Sequence, residues 1–407
     1  MTKITLNDVQ KAREVVKDVV LKTELVECVH LSKISNNRVF LKLENLQKTG
    51  SFKIRGAYNK IANLTQEEKA NGVIASSAGN HAQGVALGAK MNGIKATIVM
   101  PATAPLAKVS ATKSYGAEVI LNGAVYDDAY AKALEIQNET GATFLHPFDD
   151  PYVIAGQGTI ALEILEDLED VDAILVPIGG GGIIAGIAVA AKAINPNIKI
   201  IGVEASNAAS MKGSVDEGEI ITLSSAATIA DGIAVKRPGN LTYELVKEYV
   251  DEIVTVNEDE IAQAVLFLME KDKIVVEGSG AVSVAAIITG KIKEEGKNIV
   301  SVISGGNIDV NMVWRIIDNA LIKEGRRFTF RTMIQDKPGG LSNLTALIYE
   351  LNANILSVNT IKLSNNLRLG VQPVEVVLET FDKDHVAQIV EKLESNGYTV
   401  ETYCDLI

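Results

Sequence analysis

The chain has 407 residues, 47% of them hydrophobic, which is enough for a large core and for two or three domains. Its formal net charge of -12 provides no general attraction to a phosphate backbone, so no nucleic-acid partner is expected. The two cysteines, Cys28 and Cys404, form no ligand motif, and no apolar run is long enough to span a bilayer. These features predict a cytoplasmic protein without a membrane segment.

From about Val39 the chain alternates short β-branched runs with longer helical patterns. The predicted strands are Val73–Ala75, Ala96–Met100, Glu118–Leu121, Ala173–Pro177, Lys199–Glu204 and Ile299–Ile303. The predicted helices are Asn80–Asn92, Leu106–Tyr115, Asp127–Thr140 and Ile183–Ala193. The strand runs are apolar throughout, which is typical of parallel strands covered by helices on both faces. This pattern predicts an α/β fold.

The pattern changes at the charged segment 323–327, which is the predicted domain boundary. The elements predicted after it are strand Phe328–Ile334, helix Leu341–Leu351, strand Ile355–Leu363, a turn at Asn365 and Asn366, strand Val374–Glu379, helix His385–Ser395 and strand Tyr398–Tyr403. The order β-α-β-β-α-β predicts a ferredoxin-like α+β unit.

Lys53 lies between Phe52 and Gly56, after a loop and at the start of a predicted helix. A poorly solvated lysine has a lowered pKa, so its neutral amine can bond covalently to a cofactor aldehyde. Taken alone, Lys53 is better explained as a solvated lysine at a helix start, and the other motifs are needed to favour the covalent role.

Four successive glycines, Gly179, Gly180, Gly181 and Gly182, follow a predicted strand and open a helix at Ile183. Backbone amides in such a loop crowd around an anion, and the helix N-terminus favours negative charge. The spacing lacks the features of a nucleotide P-loop or a dinucleotide fingerprint. The loop therefore favours a phosphate site over a simple strand-to-helix turn.

Two further polar turns follow predicted strands, at residues 76–81 and at residues 304–307. Helix capping by Ser77 or Asn80 is the plain explanation of the first turn. Open α/β sheets bind ligands at the carboxyl ends of their strands, where Ser304 is predicted to lie. Together with Lys53 and the glycine loop, these turns predict an enzyme that uses pyridoxal 5'-phosphate (PLP).

The chain resembles the threonine dehydratases (threonine ammonia-lyases), which are fold type II PLP enzymes, over essentially its whole length. The motifs that carry the resemblance are residues 51–57, 76–84, 179–182, 231–232, 237–239, 277–281 and 304–307. The resemblance implies a catalytic domain of two open parallel-type α/β parts over 1–325, with roughly 50–150 as the smaller inserted part. It also implies an ACT regulatory domain over 326–407.

The resemblance also assigns roles to particular residues. It implies that Lys53 carries the covalent bond to PLP and acts as the catalytic base. It implies that the cofactor contacts are Phe52 beside the ring, Asn80 at the ring hydroxyl, Gly179, Gly180, Gly181, Gly182 and Ile183 at the phosphate, and Ser304 at the ring nitrogen. Leucine is usual in the family where this chain has Ile183. The implied substrate-carboxylate contacts are Ser77, Gly79, Asn80 and His81.

The implied reaction is β-elimination of water from L-threonine or L-serine, giving 2-oxobutanoate or pyruvate and ammonia. A serine racemase is one alternative, although that resemblance expects a serine where this chain has Ala78. A β-replacement enzyme of the same fold is a second alternative, and a catalytically inactive amino-acid sensor is a third.

The C-terminal unit is expected to bind an effector, an amino acid or AMP, at the turn containing Asp336, Gly339, Gly340 and Leu341; the alternative is a dimerisation module that binds nothing. Some relatives hold a cation near the end of the strand that here stops at Glu204. Glu204 and Ala208 match two of their ligands, whereas Ser210 replaces an aspartate, so the metal stays open. A homodimer or homotetramer is expected.

Overall fold

The structure is a computed structural model that describes residues 4–360 and 370–402. The chain divides into two compact units, residues 1–310 and residues 311–407. This division precedes the predicted boundary at 325 because the helix over 310–324 is grouped with the second unit. The assignment of one part to catalysis and the other to regulation stays a prediction. Within the described residues, no helix combines the length and apolar character needed to cross a membrane.

The first unit alternates strands and helices along its length. Its strands are β1 Leu25–Glu27, β2 Arg38–Lys42, β3 Val73–Ser76, β4 Ala96–Met100, β5 Glu118–Leu121, β6 Thr143–Phe144, β7 Ala173–Pro177, β8 Lys199–Ala205, β9 Glu252–Val256 and β10 Asn298–Val302. Its helices are α1 Leu6–Val16, α2 Val29–Ser35, α3 Lys53–Ala62, α4 Gln66–Asn71, α5 Asn80–Met91, α6 Leu106–Ser114, α7 Tyr126–Thr140, α8 Pro151–Asp167, α9 Gly182–Ile194, α10 Ser210–Glu217, α11 Asn240–Tyr249, α12 Glu258–Phe267 and α13 Gly278–Ile288.

The larger sheet of this unit has six strands in the order β1-β2-β10-β7-β8-β9. Only β1 pairs antiparallel within it, with β2, and the remaining pairs are parallel. Helix α9 is buried from Gly182 to Ala191, which explains why its sequence is apolar on every face. Ile174 and Val176 of β7 pack with Ile184 and Ile187 of α9 in the main core.

The smaller sheet has four parallel strands in the order β5-β4-β3-β6. Its strands β3 and β4 are buried along their whole length, as their uninterrupted apolar sequences predict. One core lies around Ile98, Val85 and Ile61, and a second around Ile74 and Val99. The two open parallel sheets confirm the predicted α/β class.

The second unit begins with helix α14 (Val310–Glu324), of which all but Val310 is grouped with it. Its elements are β11 Arg327–Gln335, α15 Gly340–Glu350, β12 Asn354–Thr360, β13 Val371–Glu379, α16 Lys383–Ser395 and β14 Glu401–Thr402. They form an antiparallel sheet in the order β12-β13-β11-β14, which confirms the ferredoxin-like fold. The core contains Phe330, Val376, Leu344 and Ile389.

The last strand of this unit is shorter than predicted, and part of the predicted β12 region lies outside the described residues. The last strand was predicted over 398–403, but among the described residues only Glu401 and Thr402 pair with β11, so that prediction was too long. Tyr398 instead packs against the apolar core, and its backbone amide donates to the carbonyl of Leu393. The predicted end of β12 at Leu363, the turn at 365–366 and Tyr403 lie outside the described residues.

Candidate active site

Lys53 is the first residue of α3, and the segment before it is held by the turn that follows β10. Ser51 forms an isolated bridge with Gly305, and the Phe52 amide donates to the Ser304 carbonyl over 3.2 Å. The motifs at 51–57 and 304–307 are therefore neighbours in the fold. Long-range backbone pairing fixes where α3 begins, and with it the position of Lys53.

The Lys53 amine donates to the Pro147 carbonyl over 3.1 Å and lies 5.1 Å from the centroid of the Phe52 ring. Burial lowers the pKa of Lys53 to about 8, although the Glu277 carboxylate acts in the opposite direction. A substantial fraction of the amine is thus neutral near physiological pH. This is the property that a nucleophilic or proton-accepting lysine requires.

The glycine loop joins β7 to α9 and is tightly packed. Gly181 has φ +94°, a left-handed conformation that favours glycine. A Cβ at Gly180 would lie 2.3 Å from the Phe148 ring, and one at Gly182 would lie 2.9 Å from the Phe148 Cβ. Side chains are therefore excluded from this loop. The first amides of α9 have no acceptor within the helix, so the loop has the donors that the predicted phosphate site requires.

The segment 146–148 links Lys53 to the glycine loop. Pro147 accepts the hydrogen bond from Lys53, while the next residue, Phe148, contacts Gly180 and Gly182. Contacts between residues 94 positions apart (Lys53 and Pro147) and 32 to 34 positions apart (Phe148 with Gly180 and Gly182) thus bring the amine of Lys53 and the glycine loop to the same segment. The sequence analysis did not identify this segment, because its residues carry no motif of their own.

The turn at 76–81 connects β3 to α5, as predicted. The Gly79 amide donates to the Ser77 hydroxyl over 3.2 Å, and a Cβ added at Gly79 would meet no atom within 4 Å. Open space therefore faces the turn at Gly79, next to the first amides of α5. A carboxylate fits the charge and donors of this position.

The His81 side chain lies inside the fold rather than in this space. It is buried, and its Nε2 lies 2.8 Å from the Leu145 carbonyl. Burial lowers the pKa of His81 to about 3, so the ring is neutral and its Nε2–H donates to that carbonyl. Only the backbone amide of His81 remains for the predicted carboxylate site.

Asn80 is held at both ends of its amide. Its Nδ2 donates to Glu277 Oε1 over 2.7 Å, and its Oδ1 accepts from Asn307 Nδ2 over 2.8 Å. Asn307 also donates to the Thr49 carbonyl over 2.7 Å. These bonds join the turns at 76–81 and 304–307 to the loop before Lys53. One Nδ2 proton of Asn80 stays available for a ligand oxygen.

Glu277 is the main site residue to which the sequence analysis gave no role. It is buried, and its Oε1 also accepts from the Ser279 hydroxyl over 2.8 Å. Burial, aided by the Asp231 carboxylate, raises the pKa of Glu277 to about 7. Glu277 opens the motif at 277–281 that contributes to the family resemblance, but its position after the apolar run 274–276 did not indicate a role for it.

Ser304 lies two residues beyond β10 and is 3% exposed. Its hydroxyl donates to the Ser279 carbonyl over 3.3 Å, and a hydroxyl oxygen also accepts. The bridge between Ser51 and Gly305 places it beside the start of α3. Lys53, Asn80 and Ser304 therefore surround one region, as the motif spacing predicted.

Ser210, which replaces an aspartate at the cation position considered above, is buried near Glu204. Glu204 accepts from the backbone amides of Met211 and Lys212 over 2.9 and 2.8 Å. Burial raises the pKa of Glu204 to about 7 despite these bonds. This carboxyl caps the start of α10, which accounts for its position without a metal.

The comparisons with known proteins agree with this geometry. A family described as "Pyridoxal-phosphate dependent enzyme" matches residues 16–305. An L-threonine ammonia-lyase of Thermotoga maritima is 54% identical over 397 residues, 98% of this chain and 99% of its own.

Two solved structures show the same catalytic fold. Threonine deaminase isoform 2 of Solanum lycopersicum is 42% identical with a TM-score of 0.75, covering 77% of this chain and 92% of its own. Maize serine racemase is 38% identical with a TM-score of 0.75, covering 79% of this chain and 99% of its own. On these grounds the chain belongs to the family of pyridoxal-phosphate dependent enzymes.

Proposed function

We propose that the protein is an L-threonine ammonia-lyase, which eliminates water from L-threonine and yields 2-oxobutanoate and ammonia. L-serine would give pyruvate in the same way. The observation that carries the proposal is similarity to the Thermotoga maritima L-threonine ammonia-lyase along the whole chain. The buried amine of Lys53 beside the glycine loop supports it independently.

The donors of the site suit PLP. The left-handed Gly181 and the free amides at the start of α9 suit its phosphate, and open space faces Gly79. Lys53 would hold the cofactor covalently with Phe52 beside it, and Gly179–Gly182 with Ile183 would bind the phosphate. Asn80 would donate to the ring hydroxyl and Ser304 would face the ring nitrogen. When bound, PLP withdraws electrons from the substrate Cα and so makes its proton removable.

Lys53 is the group that we assign to proton transfer. Its pKa of about 8 allows the amine to accept the Cα proton of threonine at neutral pH and to return a proton later. The Pro147 carbonyl orients the amine of the partly buried Lys53.

The substrate carboxylate is assigned to the start of α5. The Ser77 hydroxyl and the amides of Gly79, Asn80 and His81 surround the open space there. Positive charge at the helix N-terminus stabilises a carboxylate. This contact would hold the amino acid with its Cα facing Lys53.

Ser304 and Glu277 support the choice of reaction. A neutral hydroxyl at the ring nitrogen does not keep that nitrogen protonated as a carboxylate would. The ring would then be a weaker electron acceptor, so a long-lived carbanion is disfavoured and elimination is favoured. Glu277 orients the Asn80 amide through its 2.7 Å bond. Ala78 lacks the hydroxyl that a racemase would use as a second base, so racemisation is disfavoured.

The second unit is proposed to regulate the first. Gly340 begins α15, Gly339 has φ +92° with no atom within 4 Å of an added Cβ, and Leu341 is 42% exposed. The open turn supports an amino-acid or AMP effector site at Asp336, Gly339, Gly340 and Leu341. We also propose a homodimer or homotetramer, and a cytoplasmic location consistent with the free thiol of Cys28.

The test is an assay of keto acid and ammonia with L-threonine and L-serine, together with chiral analysis of serine. We expect turnover of L-threonine to 2-oxobutanoate with ammonia in equal amount, and no D-serine. Lys53→Ala should abolish both turnover and the visible absorbance of lysine-bound cofactor. Formation of D-serine without keto acid would replace the proposal with the racemase alternative. Wild-type turnover by Lys53→Ala would remove Lys53 from its assigned role.

A further inference from the structure

A second cluster of reactive side chains lies outside the residues assigned above. Cys28 precedes α2, His30 lies in its first turn, and Asp272 comes from a segment 244 residues after Cys28. Their ligand atoms all lie within 4.8 Å of one another. A thiol, an imidazole and a carboxylate that converge in this way form a mixed sulfur, nitrogen and oxygen ligand set.

The individual distances are close to those of a tetrahedral metal site. Cys28 Sγ lies 3.2 and 3.3 Å from the two Asp272 oxygens, and His30 Nδ1 lies 3.9 Å from Asp272 Oδ1. Zinc bonds of about 2.0 to 2.3 Å in tetrahedral geometry separate neighbouring ligand atoms by about 3.3 to 3.8 Å. A metal could therefore be bound once the Cys28 sulfur and a His30 ring nitrogen, which lie within 4.8 Å of each other, approach by up to about 1 Å through side-chain rotation.

The three side chains come from two segments with different backbone conformations, the start of α2 and a turn of π-helix. Asp272 closes a five-residue turn of π-helix, Leu268–Asp272, that continues α12. Lys273 after it has φ +61°, a left-handed conformation that is uncommon for a residue with a side chain. Turns of π-helix are frequent at functional sites because they redirect side chains. Here the turn ends with the carboxylate facing the Cys28 thiol.

The burial of the three residues also suits a metal site with one open position. Cys28 is 2% exposed and the Asp272 side chain 14%, whereas the His30 side chain is 54% exposed. The sulfur and carboxylate would form the dry base of the site, and His30 lies at its entrance. Three protein ligands leave the fourth position of a tetrahedral ion for water.

We propose that Cys28, His30 and Asp272 bind a divalent transition metal of the zinc class, at a site separate from the Lys53 region. The thiol sulfur excludes magnesium and calcium as preferred ions, since those prefer an all-oxygen shell. On binding, the Cys28 thiol releases its proton to solvent and the thiolate sulfur bonds to the metal. No electron is transferred in this step.

Metal binding at this site must depend on pH. A cysteine thiol is ordinarily protonated near neutral pH, whereas the thiolate is the form that binds a metal. The metal has to displace that proton, so the affinity should rise with pH and binding should release a proton to the buffer. A cation held by carboxylates alone would release none near neutral pH.

The test is calorimetric titration of Zn²⁺ into the full-length holoenzyme after treatment with a chelator, in two buffers of different ionisation enthalpy. We expect one saturable site per chain with release of a proton. Cys28→Ser, Asp272→Asn and His30→Ala should each lower the affinity by roughly tenfold or more. His30 is exposed, so its replacement tests the site without threatening the fold. Cys404→Ser, at the only other cysteine in the sequence, is the matched control and should bind as the wild type does.

Co²⁺ provides a second measurement that identifies the sulfur ligand. A thiolate-to-cobalt absorption should appear in the wild type and in Cys404→Ser, and should be absent from Cys28→Ser. Threonine turnover should be unchanged by Cys28→Ser, since Cys28 contacts none of the residues assigned to the reaction. Absence of saturable Zn²⁺ binding in the wild type would overturn the proposal. Zn²⁺ affinities of Cys28→Ser and His30→Ala that equal the affinity of the wild type would overturn it as well.

Discussion

Ser304 contributes one hydroxyl at a buried position beside the start of α3. Ser304→Ala should retain the cofactor, because Lys53 and the glycine loop are intact, but it should lower turnover. The loss of one such hydrogen bond costs on the order of 1 kcal/mol or more, which is about fivefold or more in kcat. Steady-state kinetics and the visible spectrum of the holoenzyme are the measurements.

Ser301→Ala is the matched control for this change. Ser301 lies in β10, the strand that precedes Ser304, and is fully buried, but its hydroxyl has no hydrogen-bond partner in the described structure. Its removal should leave kcat unchanged. If both variants behave alike, the loss at position 304 reflects packing rather than a contact to the cofactor.

The lowered pKa of Lys53 predicts how the rate of PLP binding to the apoprotein depends on pH. The neutral amine is the form that bonds to an aldehyde, so recombination of the apoprotein with PLP should slow as pH falls below about 8. Glu277 favours the protonated amine, so Glu277→Gln should lower the pKa of Lys53 further and shift the profile to lower pH. Recovery of visible absorbance measured against pH tests both statements. A shift to higher pH in Glu277→Gln would contradict the assigned coupling.

At the scale of elements, a buried ionic network anchors α3 next to Lys53. Arg55, two residues after Lys53, is fully buried and forms paired hydrogen bonds with Glu44 and with Glu163. Lys42 of β2 completes the network, since its Nζ forms an ion pair with Glu163 Oε2 at 2.7 Å. Two positive and two negative charges thus balance between α3, α8 and the larger sheet. The first turn of α3 is held by these contacts.

Glu44→Gln should be strongly destabilising because it leaves part of the Arg55 charge unpaired in the interior. Breaking a buried pair costs about 3–5 kcal/mol, whereas an exposed pair contributes about 1 kcal/mol or less. Arg38→Gln, which breaks the exposed pair with Glu27, is the matched control. The midpoint of urea unfolding should fall much further for Glu44→Gln. Equal midpoints would show that the buried network adds nothing beyond a surface pair.

At the scale of the whole molecule, the compact units suggest where the chain divides. Helix α14 is grouped with the second unit and has buried residues Ile316 and Ala320. A chain ending at Gly325 would keep α14 without the packing partners of its unit. A chain ending at Val310 would remove the helix as well.

Both truncated proteins should fold and turn over L-threonine, and neither should respond to isoleucine, valine, threonine, serine or AMP. The protein ending at 325 should associate or precipitate more readily, since α14 exposes apolar side chains once its unit is removed. Activity titrations and size-exclusion chromatography are the measurements. An effector response retained by either protein would place the regulatory site in the first unit.

Much of the site could be predicted because its signals are local. A lysine at a helix start, a run of glycines after a strand and polar turns at strand ends each depend on a few adjacent residues. Glu277 was given no role, because its partner Asn80 is 197 positions away and no local pattern marks the pair. The His81 side chain points into the fold, where its ring nitrogen contacts the carbonyl of Leu145. That residue is 64 positions away in sequence, so no local pattern predicts the contact.

The sequence by itself determined the two fold classes, most of the elements and the candidate site residues, because apolar periodicity and glycine placement act over short segments. Strands β4, β5 and β7 begin and end at the residues predicted from the sequence. The tertiary structure alone decided which turns meet, how the charges of Arg55 and Glu44 are balanced, and that Cys28 faces Asp272. Such contacts depend on how distant segments pack, and burial then sets the pKa of each group that packing encloses.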